Sequence, residues 1–168
     1  VVELVLTGGV CLKTGARLSQ VELPALDRYP SFEALYEAFA GELERELGVL
    51  FKRLDLYSEA MAEHRPVYLM SSMTDDCLRR GHELQDGGAR YHHYGAAPLG
   101  IPNASDALYA VKRAVFEDRI CSAEELLEAL STDFEGLERL RQRLRKLPKF
   151  GQQHPEADAM ANGVLTTV

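Results

Sequence analysis

The chain has 168 residues, 46% of them hydrophobic and 27% charged, with a formal net charge of −7. That length suffices for one domain, or part of one, with a real core. The acidic balance argues against nucleic-acid and anionic-membrane partners, which demand positive charge, and no apolar run approaches membrane-spanning length.

In chain order, Val1-Val2-Glu3-Leu4 has neither an initiator Met nor the pattern of a secretory signal. With a C-terminal stretch, Asn162 to Val168, that shows no closing cap, this predicts an internal piece of a longer protein. Val2 to Leu6, ended by Gly8-Gly9, reads as the end of a helix or a strand entering a turn, and Thr14-Gly15 is a second turn. Pro30-Ser31 announces a helix: the Ser hydroxyl can accept from free N–H groups, and Glu33 suits the first turn. From there Phe32, Tyr36, Phe39, Leu43, Leu47, Leu50, Leu54, Tyr57 and Met61 recur every three or four residues. That stripe predicts one helix running to His64-Arg65-Pro66, too long for an ordinary small domain.

Met70 to Arg80 is expected to be helical, stopped by Gly81. Asp86-Gly87-Gly88 is a turn, and Ala89 to Tyr94 offers a short aromatic run predicted as a buried strand. After the loop Gly95 to Pro102, Asn103 or Ser105 should cap a helix with Leu108, Val111 and Val115 on its core face. Ser122-Ala123-Glu124-Glu125 is a capping box opening a helix to Leu130. A last helix, with Leu137, Leu140, Leu144 and Leu147 inward, should end at Pro148. The expectation is an α/β, helix-dominated chain with two short strands at most.

Three motifs in the middle of the chain carry a resemblance. Cys77-Leu78-Arg79-Arg80-Gly81, Gly87-Gly88-Ala89-Arg90-Tyr91 and Ser105-Asp106-Ala107-Leu108-Tyr109-Ala110-Val111-Lys112 follow one another with the order and spacing found in glycyl radical enzymes of the pyruvate formate-lyase type, after their thiyl-forming cysteine. Leu4 to Gly15 and Pro148-Lys149-Phe150-Gly151 resemble that family's flanking segments, so the likeness covers residues 1–168 as one partial domain. It implies a place in a ten-stranded α/β barrel. The parent would be an anaerobic, cytoplasmic lyase, dehydratase, decarboxylase or formate acetyltransferase, with motifs closer to the dehydratase and lyase branch. It also implies a glycyl radical installed by a separate S-adenosylmethionine-dependent iron–sulfur activating enzyme, and a homodimer.

The chain departs from the family pattern at both radical positions. No G-C-V-E loop is present, and Gly163 in Asn162-Gly163-Val164 does not resemble the R-V-x-G-Y glycine context. No residue is therefore expected to be catalytic, to bind a cofactor or to hold a metal, and the segment should supply barrel wall. The competing reading is a degenerate, stand-alone helical interaction module without activity.

Several residues invite a role. Neighbouring His92 and His93 on a strand would face opposite ways and could not chelate one ion. If the strand lines the barrel, His93, Tyr94 or Tyr91 could reach substrate; otherwise they are packed wall. Cys77 and Cys121 fall in helical contexts as buried spectators, and Cys11 in a loop. With no C-x-x-C or Cys/His ligand spacing, the three fit a reducing cytoplasm. Asn103 and Asp106 read as helix caps, and Asp75 and Asp76 as surface residues. The basic cluster from Arg139 to Lys149 reads as a solvated helix face paired with Glu135 and Glu138.

Overall fold

In the computed structural model, which describes residues 1–91 and 97–168, the opening apolar run is helical. Val2–Leu6 forms α1, with Leu4, Val5 and Leu6 buried. The turn after it needs glycine: Gly9 has a φ of +86°, and a Cβ there would lie 2.9 Å from the Ser19 side chain. A short 3-10 turn, Leu26–Arg28, buries Leu26.

Helix α2 runs from Phe32 to His64, as its stripe predicts. Its start uses the expected cap, the Ala34 N–H donating to the Ser31 hydroxyl at 3.3 Å. The stripe is not buried along its length, however. Phe32, Leu35 and Phe39 are core, whereas Leu50 and Tyr57 are exposed.

The chain divides into two units, one of Val1–Glu44 with Pro98–Val168 and one of Arg45–Ala97. In the first, α5 (Ile101–Val111) packs on α8 (Pro155–Thr167). A π-helical segment, Lys112–Glu117, continues α5 directly. Leu108, Val111 and Ala114 from this stretch join Val5, Leu26, Leu35 and Val164 in one core, with Val115 packed against it. Helix α6 (Ala123–Ser131) has the capping box complete: the Glu125 N–H donates to Ser122 Oγ at 3.1 Å and the Ser122 N–H to Glu125 Oε2 at 2.8 Å. Helix α7 (Glu138–Arg145) buries no residue fully, although Leu140 and Leu144 lean on the core.

Four expectations need correction. Helix α5 begins at Ile101, after Gly100 in the left-handed region at φ 86°. Asn103 and Ser105 therefore lie inside it, and the Ser105 hydroxyl donates to the Pro102 carbonyl at 3.0 Å. Helix α8 was not expected, although Pro155 in the first turn with Glu156 and Asp158 is a sound start signal.

In the second unit, the helix expected over Met70 to Arg80 is two short ones, α3 (Tyr68–Ser72) and α4 (Cys77–Arg80), separated where Asp76 adopts φ 78°. Gly81 does end α4 in the left-handed region. The strand expected from Ala89 is a bend over its described part, residues 89–91. The Arg90 N–H goes to the Asp75 carbonyl at 3.3 Å rather than into a ladder. Among the described residues, extended pairing is limited to the isolated bridges Thr7–Ala25 and Val10–Arg17.

Candidate functional site

The first unit carries a groove of about 540 Å³. Phe32 and Tyr36 lie four apart on one face of α2 and so stack one turn above the other. Glu33 and Glu37 repeat that spacing along the groove rim. Helix α8 supplies Glu156, Ala159, Met160 and Gly163, and the π segment supplies Lys112. The floor depends on Gly163, where a Cβ would meet the Tyr36 hydroxyl at 3.2 Å. That hydroxyl shares a 3.1 Å hydrogen bond with Thr167 Oγ1. Lys112 pairs with Glu117 at 3.1 Å and lies 6.0 Å from the Phe32 ring centre. The Glu33 carboxyl is held below its ordinary range by its own backbone N–H first, then by the Ser31 hydroxyl. The result is an apolar slot with an acidic rim.

Beside it, Arg113 is a cation with several partners. Its Nε and Nη2 donate to the two Asp118 oxygens, each at 3.0 Å, while Nη1 reaches Tyr109 Oη at 3.1 Å and Glu156 Oε2 at 3.2 Å. Tyr109 Oη donates to Glu156 Oε2 at 3.1 Å. The guanidinium pKa rises, chiefly through the Tyr109 bond and then Asp118; burial raises that of Tyr109. Through these bonds Arg113 ties the π segment to α8.

Asp106 does not cap α5. Its carboxylate accepts from the Phe150 N–H at 2.8 Å, which joins the two motifs around Ser105-Asp106-Ala107-Leu108 and Pro148-Lys149-Phe150-Gly151. The Gly151 N–H then donates to Asp158 Oδ1 at 3.1 Å, linking that element to α8. The basic face of α7 is solvated as expected, with Arg141 3.7 Å from Glu138.

In the second unit Asp76 is a correction. Its side chain is 7% exposed, not a surface group, and is ringed by Arg79, Arg80 at 3.8 Å and Arg90 at 3.0 Å. The Arg90 hydrogen bond is the main reason its carboxyl is held below the ordinary range. Glu83 is a second anchor: Oε2 accepts from the Val67 N–H at 3.1 Å and Oε1 from the Gln85 N–H at 2.8 Å. Neither could be read from spacing, because a left-handed aspartate and a loop glutamate leave no periodic trace.

Of the residues singled out for a substrate pocket, Tyr91 is 87% exposed on the bend, and His93 and Tyr94 lie outside the described residues, as does His92. Cys77 and Cys121 are buried and Cys11 half-buried. The Thr14 hydroxyl lowers the Cys11 pKa, while burial raises that of Cys121. Among the described residues no group of three or more His, Cys, Asp or Glu could hold a metal ion, and no helix is long and apolar enough to cross a membrane.

The sequence and the fold of this chain together match one known class of protein. The family model described as pyruvate formate lyase-like matches residues 1–168, and the chain belongs to that family. It is 34% identical over 138 residues to trans-4-hydroxy-L-proline dehydratase of Clostridioides difficile, covering 82% of this chain and 18% of that protein. The crystal structure of hydroxyproline dehydratase from Clostridioides difficile, with trans-4-hydroxy-L-proline bound, superposes with a TM-score of 0.91 at 30% identity over 99% of this chain and 21% of that one. A glycyl radical enzyme from Archaeoglobus fulgidus gives 0.86 at 29% identity, with 99% and 21% covered. The chain thus spans about a fifth of the length of these relatives.

Proposed function

We propose that the chain is a wall segment of a glycyl radical dehydratase or lyase. The observation that carries this is the match along residues 1–168 to about a fifth of much longer dehydratases, in fold as well as in sequence. In such an enzyme a radical on a backbone glycine is relayed through a thiol to substrate, and the protein's part is placement and exclusion of water. The core around Leu35, Leu108 and Val164 and the Arg113 tie suit a rigid support, part of a ten-stranded barrel. Tyr91, His93 and Tyr94, in the segment that follows the Gly87-Gly88 turn, are the side chains offered to the substrate pocket. The remainder of the parent polypeptide, a second subunit and a separate S-adenosylmethionine-dependent activating enzyme complete the system, in anaerobic cytoplasm. The formate acetyltransferase branch fits less well than dehydration or lysis, since the relative from Clostridioides difficile is a dehydratase.

The test is anaerobic activation of the native-length polypeptide and, separately, of residues 1–168, followed by electron paramagnetic resonance. A glycyl doublet is expected in the first and not in the second. A doublet from residues 1–168 alone would refute the wall role, and a native polypeptide no longer than 168 residues would leave the stand-alone interaction module.

A further inference from the structure

The groove between α2 and α8 takes no part in the wall role, yet its side chains are arranged as a ligand would need them. Its space of about 540 Å³ falls within the range of about 300–1,000 Å³ common to small-molecule pockets. Every residue that lines it belongs to the first unit.

The floor is aromatic and fixed in place. The Phe32 and Tyr36 rings lie 6.1 Å apart, tilted by 47°. Phe116 meets Phe32 edge-on at 6.1 Å, and Phe39 braces Tyr36 at 5.8 Å. Thr167 Oγ1, which shares a hydrogen bond with the Tyr36 hydroxyl, also donates to the Gly163 carbonyl at 2.9 Å. Rings held in this way need little ordering when a ligand meets them.

Around that floor the charge is negative. Glu33 and Glu37 stand one turn apart on the α2 side, and Glu156 stands on the α8 side. The nearby cations are engaged elsewhere: Lys112 with Glu117 at 3.1 Å, and Arg113 with Asp118 at 2.8 Å and Glu156 at 3.2 Å. Glu33 and Glu37 are exposed. The Glu33 carboxylate is favoured over its acid by its own backbone N–H, then by the Ser31 hydroxyl, and least by Lys112. Lys112 also shows what the floor accepts. Its Nζ lies 6.0 Å from the Phe32 ring centre, a distance at which an aromatic face attracts an ammonium.

We propose that this groove is a binding site for a small organic cation, an ammonium carried on an aromatic or alkyl body. The ammonium sits by Glu33 and Glu37 at the rim, and the body lies on Tyr36 and Met160. The rim carboxylates repel anions, while the apolar floor suits a body that water solvates poorly. The site uses residues of the first unit alone, so it does not depend on the wall role.

Isothermal titration calorimetry of the native-length polypeptide with 4-phenylbutylammonium, 4-phenylbutanol and 4-phenylbutyrate tests this. The ammonium should bind at least about tenfold more tightly than the alcohol, and the carboxylate should give no heat of binding. Glu33→Gln with Glu37→Gln should weaken the ammonium by about tenfold and leave the alcohol unchanged. Lys112→Met removes a like charge and should tighten the ammonium by about threefold, and added salt should weaken it. Equal affinity for ammonium and alcohol would overturn the proposal, as would an ammonium affinity unmoved by the double Gln variant. Absence of ammonium binding to the native-length polypeptide would overturn it as well; that is the result expected if other chain or a second copy already fills the groove.

Discussion

Leu108→Ala tests the assignment of the core to the unit of Val1–Glu44 with Pro98–Val168. Leu108 is 0% exposed, on the stretch of α5 that meets Val5, Leu35 and Val164 in the core. Truncation removes three carbons, worth about 0.8 kcal/mol each in lost burial, or roughly 2.5 kcal/mol. Incomplete collapse around the cavity raises this toward about 5 kcal/mol, so the expected cost is about 2–5 kcal/mol. At roughly 2–4 °C per kcal/mol the melting temperature should fall by about 4–20 °C. Leu69→Ala is the control: at 75% exposed it should cost less than about 0.5 kcal/mol in residues 1–168. Urea unfolding followed by circular dichroism at 222 nm measures both. Leu108→Ala within about 1 kcal/mol of wild type, or Leu69→Ala costing as much, would refute the assignment of the core.

Three further outcomes are expected. Ser122→Ala, which removes the acceptor for the Glu125 N–H, should cost about 1 kcal/mol in the same unfolding assay. Arg113→Ala strips partners from Asp118, Glu156 and the buried Tyr109 hydroxyl and should cost about 1–2 kcal/mol, with Arg113→Lys recovering little because an ammonium cannot span the Asp118 fork. Asp76 has its folded pKa lowered, chiefly by Arg90, so its contribution is present above the ordinary aspartate value of about 3.9 and is lost as pH falls through the folded value. Protection over Cys77–Arg90, measured against the intrinsic exchange rate at each pH, should therefore fall in acid, and Asp76→Asn should remove that acid dependence.

What could be read beforehand was whatever leaves a local or periodic mark. The Ser31 cap, the length of α2, the Ser122–Glu125 capping box and the stop at Gly81 all depend on neighbours within a turn, and all are present. Burial along α2 was not legible past residue 44, because a stripe states which side chains want a partner and not whether one is there. Asp76 and Glu83 were missed as anchors since each has a distant partner, Arg90 fourteen residues and Val67 sixteen residues away, on bends set by tertiary context. The groove formed by Phe32, Tyr36, Glu156 and Gly163 joins residues more than a hundred positions apart. Helix α8 was overlooked although Pro155 marks its start, because its buried face is made of Ala157, Ala161 and Val164, side chains too small to stand out as a stripe.

The π segment has a consequence for which lengths of chain this fold can accept. In Lys112–Glu117 the Asp118 N–H reaches back five residues to the Arg113 carbonyl at 2.7 Å, and the Ile120 N–H six residues to that of Ala114 at 2.7 Å. Such a wide turn is what an α-helix becomes when one residue is added. Removing one residue here would replace the five-residue reach by an ordinary four-residue one, so the Asp118 and Ile120 N–H groups would lose the carbonyls they now hold and the Asp118 fork on Arg113 would have to re-form. A one-residue deletion at this point should therefore be poorly tolerated.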